Sequence, residues 1–156
     1  MEEKTYYNSL PKKRIAAGAV LFNTSADILI VKPNYQDHWL LPGGVVEENE
    51  SPLAGLNREI REELGVSIGN VKFLCVDYSP SEGDKPDGLK FLFTGELTDD
   101  LISEINIDRH EIEEYKFVAI DEALKLLNKK TATRLPVALK MFGMSGGVYV
   151  EEGKEV

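Results

Sequence analysis

The chain is poor in the residues that most often carry nucleophilic or redox chemistry. Cys75 is the only cysteine, so no internal disulfide can form. It stands in the apolar run VKFLCVDY and reads as a small core residue, not an activated thiolate. His38 and His110 are the only histidines, which excludes a histidine-rich metal site. No run approaches the roughly 18 apolar residues that span a bilayer. The first residues, MEEKTYYNSLPKKR, have two early acids and no apolar core, unlike a secretory signal, so a cytoplasmic location is expected. Bases are also scarce: 18 Lys and Arg against 27 Asp and Glu leave a net charge of -9. Such a surface repels nucleic-acid phosphates unless its bases cluster. The one cluster, Lys12, Lys13 and Arg14, reads as solvated charge beside a strand. An acidic protein with an anionic substrate needs cations between the two, and that points to a bound metal.

What remains is an ordinary globular composition. The 156 residues suit one domain with a full core, with loose tails expected at 1–12 and 145–156. RIAAGAVLFN and ILIVKP flank the turn TSAD and predict a hairpin. NVKFLCVDYS, LKFLFTGEL and YKFVAI read as further strands, with PSEGDKPDG as a mobile loop. DEALKLLNKK predicts a helix capped by Asp121, and RLPVALKMFG a last helix stopped by Gly143. No internal repeat appears. The expected class is α/β, a mixed sheet with helices on its faces.

One helix is well punctuated. Ser51 is an N-cap residue, Pro52 suits the first helical position, and Gly65 suits the left-handed stop. At about 100° per residue, Leu53, Leu56, Ile60 and Leu64 make one apolar stripe, and Glu59, Glu62 and Glu63 an adjacent acidic one. Gly55 falls on that acidic stripe and marks either close approach by a substrate or loop, or nothing. Arg58 and Glu62 form a favourable i,i+4 pair, but Glu59 is a like charge to both Glu62 and Glu63 at helical-neighbour spacing. A divalent cation between them would reverse that penalty.

Spacing decides between a wet surface and a metal site. From Gly44, five residues lead to Glu50, seven more to Arg58-Glu59-Ile60, one to Glu62-Glu63 and one to Gly65-Val66. This resembles the Nudix box, G-x5-E-x7-R-E-U-x-E-E-x-G-U with U a bulky aliphatic, at every defined position. At ordinary residue frequencies a chance match is on the order of 10⁻⁸. The lead-in WLLPGG and the segment EIEEYKFVAIDEAL are also similar to the family's layout.

The resemblance implies a Nudix-type α/β/α sandwich with a mixed sheet and Mg²⁺-dependent hydrolysis of a pyrophosphate bond, with Mn²⁺ as a substitute. The substrate would be a small molecule, a nucleoside diphosphate linked to another moiety: a nucleoside triphosphate, nucleotide sugar or ADP-ribose. It implies Glu59 and Glu63 as main metal ligands, Glu62 as a further ligand or the base, and the Gly43 carbonyl as another ligand. It implies a bracing Glu50–Arg58 ion pair, and Gly44 as the residue that permits the tight turn. Many members add an acid from a later loop. Glu111 is the preferred candidate, ahead of Glu114, Glu113 and Glu96. Members are often homodimers. Tyr35, Trp39 and the 79–88 loop are candidates for recognising the base, although Trp39, followed by two leucines, also reads as core. Two other readings remain: a non-catalytic nucleotide-sensing module, which often lacks box acids, and an RNA 5′-end pyrophosphohydrolase, against which the net acidity argues.

Overall fold

The structure, a computed structural model, describes residues 2–140, 142 and 148–155. One mixed sheet forms the frame. Its strands are β1 (Arg14–Phe22), β2 (Ile28–Pro33), β3 (Gly43–Val45), β4 (Lys72–Ser79), β5 (Gly88–Glu96), β6 (Ile112–Val118), β7 (Val148–Glu151) and β8 (Lys154–Glu155), in the order β6-β2-β1-β5-β4-β7-β8. The expected hairpin is β1–β2, antiparallel, while β1 and β5 run parallel over their whole lengths. On its other side β1 is shared: β2 takes its far end, and β3 pairs with Ala16, Ala17 and Gly18. That sharing draws the segment just before the box onto the middle of the sheet.

Strand alternation divides β1 between two cores. Ala17, Ala19 and Leu21 face α2 (Pro52–Leu64), together with Leu56, Ile60 and Leu64 of that helix. Val20 faces α4 (Ile120–Leu126) and α5 (Lys129–Lys140) on the opposite side, with Leu92, Cys75 and Leu135. This is the expected α/β/α sandwich. The remaining helices, α1 (Glu3–Ser9) and α3 (Asp99–Ser103), bury no residue. Burial pushes the Cys75 thiol up to about 11, as an inert core cysteine requires.

Several expectations fail locally. The tail expected to be loose carries α1 at one end and β7 and β8 at the other; residues 1, 145–147 and 156 lie outside the described residues. β7 forms because the edge of β4 offers it a parallel register from Cys75 to Tyr78. The Gly153 N–H then donates to the buried Asp77 carboxylate at 3.1 Å, which Arg134 also meets at 2.6 Å. The helix expected from Asp121 begins at Ile120, with Ala119 at its N-cap and no side-chain cap, so Asp121 lies in the first turn. It ends at Leu126, and the chain restarts as α5, whose first turn is capped by Asn128 Oδ1 accepting from the Thr131 N–H at 3.0 Å. The predicted stop at Gly143 lies outside the described residues. β6 begins at Ile112, three residues before the expected start, which places Glu113 and Glu114 on a strand. The loop expected to be mobile is tied: Glu82 and Lys85 exchange backbone hydrogen bonds at 3.0 Å, and Asp87 meets Lys13 and the Tyr78 hydroxyl.

Candidate active site

Helix α2 forms as its punctuation predicts. Ser51 Oγ accepts from the Ala54 N–H at 3.1 Å, Pro52 opens the first turn, and Gly65 closes the helix at φ 69°. Leu56, Ile60 and Leu64 are fully buried, whereas Leu53, in the first turn, stays 41% exposed and drops out of the apolar stripe. The carboxylate stripe therefore runs along the rim of the core, over β3.

Two glycines let β3 come close, for different reasons. Gly43 holds φ 136°, which L side chains rarely adopt, and a Cβ there would lie 2.7 Å from Gly18 Cα. Its N–H donates to Glu63 Oε2 at 3.0 Å. Gly44 was expected to permit the turn; that task falls to Gly43. Gly44 is needed because a Cβ would sit 2.6 and 2.7 Å from the two carboxylate oxygens of Glu59. Gly55 faces the loop, with a Cβ position 2.7 Å from Glu50 Oε1. It makes room for Glu50 of that loop.

Arg58 organises the acids. Its Nε and one terminal nitrogen donate to the two Glu50 oxygens at 2.8 and 3.0 Å, the bidentate geometry a guanidinium prefers. The other nitrogen donates to Glu59 at 2.9 Å and Glu62 at 3.1 Å, and a further bond reaches the Val45 carbonyl at 3.0 Å. One side chain thus pins the loop, β3 and two carboxylates. The Arg58 hydrogen bond, helped by the Glu47 N–H, holds Glu50 down at about 2. Its acid partners hold the Arg58 pKa above the usual guanidinium range, Glu50 foremost.

Glu63 is the opposite case. It is 7% exposed, and burial pushes its pKa from 4.5 up to about 8. The Gly43 N–H and Lys90 oppose the rise, whereas Glu59 and Glu111 add to it. Glu111 precedes β6, and its carbonyl accepts from the Asn34 N–H at 2.9 Å. Its charge is felt by both Glu63 and Tyr35, so the loop acid stands towards the box. Tyr35 is exposed, and its hydroxyl pKa is raised by desolvation, then by Glu63, Glu111 and Glu59.

Other candidates lie elsewhere. Trp39 is 9% exposed within the α4–α5 core, under Lys116 Nζ at 4.6 Å from its ring centroid. Its ring packs in the core, as the two leucines that follow it suggested. Glu113 pairs with Lys32 at 3.5 Å, Glu114 lies in register with Lys32 on β6, and Glu96 ends β5 opposite Phe22. Lys90, a lone cation in an apolar strand, was overlooked; its charge reaches Glu63 and Glu59. That isolation within LKFLFTGEL was the available signal.

The donor set suits a hard divalent cation. It offers oxygen donors only, and the mutual repulsion of Glu59, Glu63 and Glu111 is what a cation would relieve. Among the described residues no three acidic, histidine or cysteine side chains converge into a ready cage, since Arg58 holds Glu59 and Glu62 while Gly43 holds Glu63. Mg²⁺ needs no such cage, because it takes one or two carboxylates plus waters and substrate phosphates.

The sequence profile of the NUDIX domain matches residues 12–139. The chain belongs to the Nudix family. An 8-oxo-dGDP phosphatase, NUDT18, of Danio rerio is 36% identical over 84 residues, covering 52% of this chain and 24% of that protein. Diphosphoinositol polyphosphate phosphohydrolase 2 of Rattus norvegicus is 28% identical over 127 residues, covering 81% and 68%. This Nudix chain thus spans about a quarter of the Danio rerio relative's length. The crystal structure of a MutT protein from Methanosarcina mazei Go1 superposes with a TM-score of 0.69, over 86% of this chain and 99% of that one. At 23% identity that likeness speaks to the fold. Among the described residues no helix is long and apolar enough to cross a membrane.

Proposed function

We propose that this Nudix domain is a Mg²⁺-dependent pyrophosphohydrolase acting on small phosphoanhydrides of the nucleoside diphosphate-X type. The observation that carries the reading is the Arg58 hub, whose hydrogen bonds of 2.9 and 3.1 Å hold Glu59 and Glu62 on the helix that also carries the buried Glu63. A solvated helix face has no use for a buried carboxylate or for a glycine kept clear of Glu59. Glu59 and Glu63 would hold the cation, with the Gly43 carbonyl as a further ligand. Bound there, the ion would neutralise the anhydride's charge and lower the barrier to attack by water.

The chain's own residues do the rest. Glu62 is the half-exposed acid of the three, so it can meet a water molecule and take its proton as the water oxygen bonds to phosphorus. The bridging P–O bond breaks, and the second phosphate leaves. Arg58 and Glu50 brace the acids so that their positions survive the change of charge. Glu111 supplies a further carboxylate from the opposite side, and Tyr35 offers an exposed ring for a base. A cytoplasmic setting suits the inert Cys75, which asks for no oxidising compartment. The test is phosphate or nucleoside monophosphate release from nucleoside triphosphates, nucleotide sugars and ADP-ribose, with Mg²⁺ and with chelator. Metal-dependent turnover of at least one supports the proposal; tight binding of one with no turnover of any would favour a sensing module.

A further inference from the structure

The protein is acidic, yet beside the box it holds a cavity with no acid in its lining. Arg14, Lys85, Lys90, Lys130 and Arg134 line it, between β1, β5 and α5, and Gly43 forms the wall shared with the carboxylates. Arg134 and Lys130 are already compensated, by Asp77 at 2.6 Å and Glu82 at 2.8 Å. The others are not. Arg14 Nε is buried and has no hydrogen-bond partner among the described residues. An orphaned buried guanidinium nitrogen is costly and signals a missing acceptor. Lys85 and Lys90 have pKa values lowered first by burial and then by neighbouring cations, Arg14 among them in each case. Mutual repulsion of this kind is sustained when an anion completes the site. The basic cluster at Lys12–Arg14 therefore divides: Lys13 goes to Asp87 and the Tyr78 ring, and Arg14 turns into the cavity.

We infer that this cavity receives further phosphate groups of the substrate, so that the preferred substrate is a multiply phosphorylated small molecule whose scissile anhydride lies at the carboxylates. This rests on the pyrophosphohydrolase reading and narrows it: one end of the substrate is polyanionic, not a neutral nucleoside. Arginine forks and lysine ammonium groups are the side chains that recognise phosphate. Lys90, facing both the cavity and Glu63, is the link between phosphate binding and the reacting centre. Two sources carry this chemistry: a phosphorylated cyclitol pyrophosphate and a nucleoside polyphosphate.

Binding is measured first, in chelator, with inositol hexakisphosphate as a probe that contains no anhydride. Wild type should bind it, and Arg14→Gln and Lys85→Gln should each weaken binding at least tenfold; Lys85 sits on an exposed turn, so its variant tests the site even if Arg14→Gln folds poorly. Lys12→Gln, from the same segment but outside the cavity, should bind as wild type does. Turnover with Mg²⁺ then compares an inositol pyrophosphate, a nucleoside 5′-tetraphosphate and ADP-ribose. In the Lys85→Gln variant KM should rise at least tenfold more for the favoured polyphosphate than for ADP-ribose, and the better of the first two substrates identifies the source. Failure of the probe to bind, equal binding by Lys85→Gln and wild type, or preference for 5′-triphosphorylated RNA over every small polyphosphate would overturn the inference. Variant-dependent binding without turnover of any anhydride would keep the anion site and refute the catalytic reading instead.

Discussion

Replacing Glu63 by glutamine should stabilise the metal-free protein at alkaline pH while destroying its activity. Burial raises the folded-state pKa of Glu63 to about 8, against 4.5 for the exposed group. Below about pH 4.5 the side chain is neutral in both folded and unfolded chains, and the shift has no effect. Between about 4.5 and 8 the folded protein holds a proton that the unfolded chain has released, so stability falls as pH rises, and the whole penalty is present above about 8. At about 1.4 kcal/mol per tenfold, the shift sets a ceiling of about 5 kcal/mol. Glutamine keeps an oxygen for the Gly43 N–H and carries no charge. Lys90, whose pKa burial drags down to about 8, interacts with Glu63, so the difference between the two proteins reads the pair together. Thermal melts in chelator should lie within about 3 °C of each other at pH 5. At pH 8.5 the variant should melt higher by about 5 °C or more, since each kcal/mol is worth roughly 2–4 °C at this size. Added Mg²⁺ should stabilise the wild type more than the variant. Melting curves that stay parallel from pH 5 to 8.5 would show that Glu63 is not held uncharged, and the electrostatic account of the site would fall.

Three further outcomes follow from the same geometry. Gly44→Ala puts a Cβ against the Glu59 carboxylate; because that carboxylate is the movable end of a side chain, kcat should fall about tenfold or more with Tm little changed. Arg58→Lys cannot bond both Glu50 oxygens and two further acids at once, and steady-state kinetics should show a loss of about 10–100-fold together with weaker metal dependence. Asp77→Ala strands the buried Arg134, and chemical denaturation should record a loss of about 3–5 kcal/mol.

What could be read from the sequence was what short-range chemistry encodes. Ser51, Pro52 and Gly65 delimit α2 to the residue, and helical periodicity alone puts the carboxylates on one stripe. Strand-like runs identified β1, β2, β4 and β5. Failures came where partners distant in the chain decide. β7 has no reason to be a strand until β4 offers an edge, and Asp77 gains its meaning only when Arg134 and Gly153 arrive. Trp39 was ambiguous because core packing and base stacking use the same ring. Gly43 and Gly44 were confused because spacing shows that glycines are needed, not which one needs φ 136° and which one faces Glu59. The basic cavity was invisible for the same reason: Arg14, Lys85, Lys90, Lys130 and Arg134 come from four separate segments of a chain whose net charge argued the other way.

The central claim is that the α2 carboxylates drive metal-dependent hydrolysis of a phosphoanhydride. Its most direct test is kcat on the best substrate of the panel, with saturating Mg²⁺, for wild type, Glu62→Gln and Glu63→Gln. The account predicts losses on the order of several hundredfold in each variant, with folded cores by circular dichroism. Wild-type rates in both variants would contradict it.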